Sequence, residues 1–425
     1  MQGVDAFVSA MLPVVENWGG TYRYLADEVA VPGSIDELAA VLSSNERVRI
    51  VGTRHTFTGI TDASTMVSLS GLGERFEIGP DRSTVTIDGS MTYSRLISLL
   101  APHALAVPNL ASLPHLCVAG AVATATHGSG DDRGNLATAV AGIELVTPTG
   151  EVVERRRGDV DFDGLVVGLG CFGAVTALTL DLEPATEMAQ TVHLALPIGD
   201  VADAVDEVFA SGDSVSLFTR WRGVIDQAWI KRRTDSARPV ADVVEAAARA
   251  DRPVHVVPGS DPAHCTEQLG RPGPWSERLP HFRADAIPNT GHELQTEYFV
   301  PRASARAAIL ALDRIGPELT PLLTGELRTV AADSLWLSPH CGRDSLAFHF
   351  TWEPDVTAVE EASGAVEAAL DPFEPRPHWG KVFTPGHSLE APTPRRDDAI
   401  ELMHRLDPNG VMANDWAVAE GLRSR

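Results

Sequence analysis

Two β-rich runs carry polar side chains at alternate positions: Glu326 and Arg328 in GELRTV, and His349 and Thr351 in SLAFHFTW. A strand's period of two sets Glu326 and Arg328 on one face and Leu327 on the other. It likewise sets His349 and Thr351 opposite Phe348, Phe350 and Trp352. As neighbours the runs would present Glu, Arg, His and Thr together over an apolar backing, although a solvated sheet face with an ordinary Glu–Arg pair has the same pattern. Further on, Pro375 and Pro377 restrict the backbone of PRPHWGK, so His378 and Lys381 are held in place. These residue types suit proton transfer and the stabilisation of negative charge. The arginine serves only the second purpose, because it does not deprotonate.

A second candidate is a stretch with almost no bulk, Pro108 to Gly130 (PNLASLPHLCVAGAVATATHGSG). Gly120, Gly128 and Gly130, with Ala111, Ala119, Ala121, Ala123 and Ala125, would let backbone N–H groups come close to a ligand. A tight core could use the same composition, but it would have to satisfy Ser112, Thr124, Thr126, His127 and Ser129. The stretch reads as a cofactor-cradling loop. It has neither G-x-x-x-x-G-K-[ST] nor a helix-opening G-x-G-x-x-G, so a dinucleotide here would be held outside the Rossmann pattern. His55 is the third candidate. It follows an apolar strand in GTRHTF, where a hydrogen-bonded turn histidine is commoner than a reactive one.

The elements that would position these groups follow in order. Residues 1–20 read as a short helix. Ser34 with Glu37 forms a capping box before the stripe Leu38, Val41 and Leu42, and Arg47–Val51 is the strand delivering the His55 loop. Met66–Leu69 and Thr84–Ile87 read as strands, and Thr92 caps a helix bearing Leu96, Leu99 and Leu100. Gly142–Thr147 and Glu151–Glu154 form a hairpin, and Gly168–Gly173 is a second glycine-rich turn before a β-rich Ala174–Leu182. From about residue 186, strands at Ser214–Arg222, Gln227–Arg232 and Gln295–Val300 alternate with helices near 239–250 and 303–315. The Pro- and Gly-rich 259–280 reads as a long loop, and helices are expected at 357–370 and 397–406.

A chain of 425 residues with 44% hydrophobic and 22% charged content suits a globular protein of two domains. Its 34 basic and 58 acidic residues give a net charge of −24. That argues against nucleic acid and anionic membrane as partners and suits a neutral or cationic small molecule. Cys117, Cys171, Cys265 and Cys341 are scattered and read as reduced thiols, without a metal site or disulfide framework. The N-terminus lacks a basic leader, and no apolar run reaches membrane-spanning length. A cytoplasmic protein is expected.

Together, Gly52-Thr-Arg-His55-Thr-Phe, Pro108-Asn-Leu-Ala-Ser-Leu-Pro-His, Val118 to Gly130, Glu326-Leu-Arg328, His349-Phe-Thr351 and His378-Trp-Gly-Lys381 carry a resemblance. The sequence resembles the vanillyl-alcohol-oxidase family of FAD-linked oxidases, and within it the alditol- and xylitol-oxidising branch beside the sugar-lactone oxidases. The resemblance runs from Asn17-Trp18 to the tail. It implies an α+β fold of two domains: an FAD-binding domain from 1–185 plus 386–425, and a substrate domain with a mainly antiparallel sheet from 186–385. It implies that His55 carries FAD covalently through the 8α carbon of the isoalloxazine ring. Val51, Gly52, Thr53, Arg54, Thr56, Phe57, Ser112, Cys117, Gly120, Ala121, Val122, Ala123, Thr124, Val175 and His378 would line the cofactor. Ser112, Glu326, Arg328, His349, Thr351 and Lys381 would line a polyol pocket. Arg54 and Thr56 stand where relatives often have Gly and Ser, and Cys117 where Ser is usual, which bears on flavin packing.

What the resemblance implies for activity is oxidation of a terminal primary alcohol to the aldose, with flavin N5 accepting hydride and O2 yielding H2O2. Arg328 and Lys381 would stabilise negative charge. The base would be His349, or Lys381 if Arg328 and burial depress its pKa. Glu326 would pair with Arg328, and with Ser112 and Thr351 it would bind substrate hydroxyls. A small Ala111 beside the flavin would leave room for O2. The alternative is a sugar-lactone or aldose oxidase or dehydrogenase on the same fold. The partners expected are a small polyol and O2, with no nucleic acid, membrane or metal.

Overall fold

The computed structural model describes residues 10–13, 16–285, 293–389 and 391–423. Among these residues, sheets of four, five and nine strands organise the chain. The four-stranded sheet runs Ala10–Pro13, Glu28–Val31, Thr65–Val67, Val48–Ile50, with parallel pairing inside. The helix Ile35–Ser44 packs Leu38, Val41 and Leu42 into its core. Ser34 Oγ accepts the Glu37 N–H at 3.2 Å, and the Glu37 carboxylate accepts the Gly33 N–H at 2.9 Å. The capping box therefore forms as expected but closes one residue early.

The five-stranded sheet is antiparallel throughout, in the order Phe76–Ile78, Thr84–Asp88, Ala174–Asp181, Val140–Val146, Val152–Arg156. The C-terminal segment packs back onto these first two sheets. Val48 donates to Val411 O at 2.8 Å, and Val411 and Met412 join the small core around Leu38. Arg49, 1% exposed, ties the parts together. Its guanidinium donates to Ile60 O, to Leu169 O at 2.6 Å, to Gly170 O at 2.9 Å and to Met412 O at 2.8 Å. On this packing we propose the division into 1–185 plus 386–425 and 186–385.

The nine-stranded sheet is antiparallel in the order Ala248–Arg249, Glu187–Pro197, Val224–Arg233, Ser214–Thr219, Leu322–Val330, Ser345–Trp352, Leu294–Pro301, Arg376–Pro377, with Gly273–Pro274 on Glu187–Met188. The helices Ala305–Ile315 and Val356–Leu370 cover one face. Tyr298, Leu327, Phe348 and Phe350 share a core there with Ile309, Leu312, Val359 and Val366. Residues of opposite parity face the other way, and that polar face carries the candidate site.

Some expectations need correction. The described part of 1–20 holds no helix: Ala10–Pro13 is an edge strand on Glu28–Val31, and residues 1–9 and 14–15 lie outside the described residues. Pro13 opposes a helix and is tolerated at a sheet edge. The helix near 239–250 shrinks to Asp242–Glu245, and Ala248–Arg249 pairs instead with the open edge of the large sheet. The strand near 66–69 is Thr65–Val67, followed by a 3-10 turn at Leu69–Leu72. Inside the small-residue stretch from Pro108 to Gly130, the alanine-rich Val118–Ala123 forms a short helix, as its composition favours. The 259–280 stretch is mostly irregular, as expected, with short turns at Pro262–His264 and Trp275–Glu277. No described helix is long and apolar enough to cross a membrane.

Candidate active site

Strand register brings the expected polar residues together and adds a third strand to them. His349 lies opposite Glu326 on one side and Glu297 on the other, while Thr351 lies between Thr324 and Gln295. All of these side chains line one cavity of about 250 Å³. At its centre Glu297, 1% exposed, is surrounded by cationic and donor groups. His127 Nε2 approaches Oε1 at 3.0 Å and Arg328 Nη2 donates to the same oxygen at 3.4 Å; His349 Nδ1 and Lys381 Nζ lie 3.7 and 3.8 Å from Oε2. Burial alone would raise the Glu297 pKa, but His127 and Lys381 outweigh it and hold the carboxyl well below its usual range.

Arg328 spans the two carboxylates. Its Nε faces Glu326 Oε1 at 3.3 Å, and Nη1 donates to Ser112 Oγ at 3.2 Å. Glu326 is likewise held ionised: burial opposes its charge, while Arg328 and His281 favour it. Lys381 Nζ donates to Gln295 Oε1 and approaches His349 Nδ1 at 3.1 Å. His349 Nε2 lies 3.2 Å from Thr351 Oγ1. Burial lowers the Lys381 pKa to about 8, against the opposing pull of Glu297. Burial and the neighbouring Lys381 also lower the His349 pKa, with Glu297 partly offsetting them. Arg328 also lowers the Lys381 pKa, and the chief neutralising carboxylate for Lys381 is Glu297 and not Glu326.

Most of the other residues expected around a cofactor line this cavity or an adjoining one. His55 Nδ1 lies 3.0 Å from Thr53 Oγ1, and its ring stacks on Trp18 with centroids 5.0 Å apart. Burial pushes the His55 pKa down to about 4, so the imidazole is neutral. Gly52, Thr53, His55, Thr56, Phe57, Ala111, Ser112, Cys117, Gly120, Ala121, Ala123, Thr124 and His378 line the large cavity. Val51, Val122 and Val175 line a second cavity of about 180 Å³, and Gly52, Cys117, Gly120, Ala123 and Gly170 line both. Arg54, at φ 60°, lies off both cavities and donates instead to Glu16 O at 3.4 Å.

The shared lining makes the two cavities one continuous space. Gly120 has no atom nearer than Cys117 Cβ, 3.9 Å from where its own Cβ would be, so its bare backbone faces the cavity. Gly128 differs: a Cβ there would lie 2.5 Å from both Asn109 Oδ1 and Leu110 O. Glu297, Gln295 and His281 are site residues that the sequence reading did not single out, and His127 figured there only as a polar group of the small-residue stretch. A signal existed for the first two, since Gln295 and Glu297 alternate with Thr296 and Tyr298 in an apolar strand.

The chain is similar to several known proteins. A family model described as an FAD binding domain matches residues 26–156, and one described as D-arabinono-1,4-lactone oxidase matches 291–419. The alditol oxidase of Streptomyces sp. (strain IKD472 / FERM P-14339) is 45% identical over 413 residues, 96% of this chain and 98% of that protein. The L-gulono-1,4-lactone dehydrogenase of Mycobacterium tuberculosis (strain ATCC 25618 / H37Rv) is 28% identical over 429 residues, 96% of this chain and 98% of that one. Among solved structures, a solvent-stable cholesterol oxidase has a TM-score of 0.79 at 14% identity, covering 99% of both chains. The cholesterol oxidase of B. sterolicum has 0.73 at 15%, covering 97% of both. At that identity the likeness is one of fold.

Glu297→Gln removes the charge that compensates Arg328 and Lys381. Breaking one partner out of a buried ionic cluster costs about 3–5 kcal/mol. The urea midpoint at pH 7 should fall accordingly, and an unchanged midpoint would show that the cluster does not depend on this carboxylate.

Proposed function

The chain belongs to the FAD-linked oxidase family of alditol oxidase, and on that premise we propose that it oxidises the terminal CH2OH of an open-chain polyol to the aldose, with O2 as electron acceptor and H2O2 as product. One observation supports this most directly: a cavity shared by His55 and a sheet face rich in hydroxyl-binding groups. Two cations, Arg328 and Lys381, balance two carboxylates, Glu297 and Glu326, so these four leave no surplus charge that demands an anionic substrate. Ser112, Glu326 and Thr351 supply neutral and acceptor partners, and a site that bonds each hydroxyl rejects analogues lacking them. Four buried free cysteines accord with a reducing, cytoplasmic setting.

When bound, FAD supplies the hydride acceptor. His55, neutral and anchored by Thr53, would carry it covalently through the 8α carbon. The bare backbone at Gly120 and the shared Gly52–Cys117 wall would hold the rest. Arg328 and Lys381 stabilise negative charge on the reacting oxygen, because both keep a positive charge beside it at neutral pH. His349 takes the hydroxyl proton on Nδ1, the nitrogen that Lys381 Nζ contacts at 3.1 Å, with the substrate hydroxyl displacing that contact. Ala111, small and on the cavity wall, leaves space for O2.

The lactone-oxidase description that matches residues 291–419 favours a sister reading, in which the substrate is a sugar lactone. H2O2 release from a panel of C4–C6 alditols, aldoses and lactones decides. The alditols should be turned over fastest, and a faster lactone would transfer the protein to the sister branch.

Covalent attachment is read separately. Acid-precipitated, washed protein should stay yellow and show flavin fluorescence on a gel, whereas His55→Ala should release the flavin. Colour in the wild-type supernatant would refute attachment.

The proton assignment predicts a bell-shaped rate of flavin reduction under anaerobic conditions. The rate should rise as His349 loses its proton below its ordinary value, and fall as Lys381 loses its own near pH 8. Lys381→Met should abolish the alkaline limb and lower the rate roughly 10²–10³-fold, as for loss of one stabilising charge. A rate that climbs through pH 8 would make neutral Lys381 the base instead.

A further inference from the structure

Behind Glu326 lie two buried groups that take no part in the proposed proton and charge steps. Lys231, on the strand Val224–Arg233, is fully buried, and no carboxylate lies within ion-pair distance of it among the described residues. Three acceptors match the three protons of its ammonium: Leu279 O, Pro280 O at 3.3 Å and His281 Nδ1 at 3.0 Å. Burying an unpaired cation opposes folding, and methionine would fill the space without that cost. Packing does not account for this lysine.

Its effect falls on His281. With Nδ1 accepting from Lys231, the ring proton sits on Nε2, which donates to Glu326 Oε1 at 2.7 Å. Burial, reinforced by Lys231, lowers the His281 pKa to about 4, so the ring carries a single proton. Phe218 and Trp229 hold it edge-on, with centroids 5.4 and 5.3 Å away. Its backbone N–H donates to Ser112 O at 3.1 Å, tying the same residue to a second wall of the cavity. Glu326 Oε1 then accepts from His281 and lies 3.3 Å from Arg328 Nε, while Oε2 accepts no hydrogen bond from the described residues.

We propose that Lys231 and His281 are positioning residues for substrate binding. Lys231 selects the Nε2–H tautomer of His281, and His281 holds Glu326 with one oxygen engaged and the other presented to a substrate hydroxyl. The proposal rests on Glu326 being a hydroxyl acceptor, as in the polyol reading.

The test uses flavin-loaded enzyme and the variants His281→Leu, His281→Gln and Lys231→Met, with the best alditol as substrate. His281→Leu should raise KM roughly tenfold or more while kcat stays within about threefold, the signature of lost ground-state binding. His281→Gln, whose amide N–H can replace Nε2–H, should recover most of the loss, which a purely structural role would not allow. Lys231→Met should fall between them. The tautomer is read independently of turnover by 15N shifts of histidine-labelled protein at pH 6, below the value of about 7 to which burial lowers Lys231. The wild type should show Nε2–H at His281, and Lys231→Met should weaken that bias, leaving only the Glu326 acceptor to maintain it. An Nδ1–H tautomer in the wild type, or a KM within about twofold of wild type in His281→Leu, would overturn the proposal. If the wild type turns over a lactone and no alditol, the polyol reading alone fails. The tautomer and the variants' KM for that lactone then decide the positioning role.

Discussion

A buried carboxylate that must stay ionised is the constraint around which this molecule is arranged. Glu297 is 1% exposed, and isolated burial of such a charge is prohibitive. Its compensation comes from His127 at the end of the small-residue stretch, Arg328 on a strand two away in the sheet, and Lys381 beyond the last edge strand. Each is placed by a different part of the fold. The cluster therefore exists only when those parts are assembled, and it binds them together once they are.

The sheet supplies what such a cluster needs. One face is covered by helices through Tyr298, Leu327, Phe348 and Phe350, which leaves the opposite parity free to carry polar groups on a rigid backbone. Paired strands fix the spacing of Glu326, His349 and Glu297 more firmly than loops would. Loops then complete the site from outside. His55 arrives after a short parallel strand, and His281 arrives at the end of the long irregular segment, seated on Lys231.

Between Pro108 and Gly130, one composition serves two purposes. Gly128 is small because Asn109 and the Leu110 carbonyl press on it, whereas Gly120 is small where the cavity opens. Both uses reflect close approach to a backbone, and a string of residue names does not say whether the approaching atom belongs to protein or ligand. The helix at Val118–Ala123 has a related origin, since alanines chosen for lack of bulk are also strong helix formers.

The sequence by itself determined what depends on near neighbours in the chain. Period-two alternation put Glu326 with Arg328 and His349 with Thr351, and both pairs line the cavity as read. Pro375 and Pro377 announced a held Lys381, and the Ser34–Glu37 box marked a helix start. The family resemblance pointed further to His55, which lines the same cavity. Tertiary structure alone decided which charges meet. His127 and Glu297 are 170 positions apart, and His281 and Glu326 are 45 apart. Open sheet edges likewise took Ala10–Pro13 and Ala248–Arg249 as strands where local pattern favoured helix. The physical reason is common to these cases. Desolvation, charge compensation and the pairing of open edges depend on which groups lie within a few ångströms, and the order of residues along the chain does not state that distance.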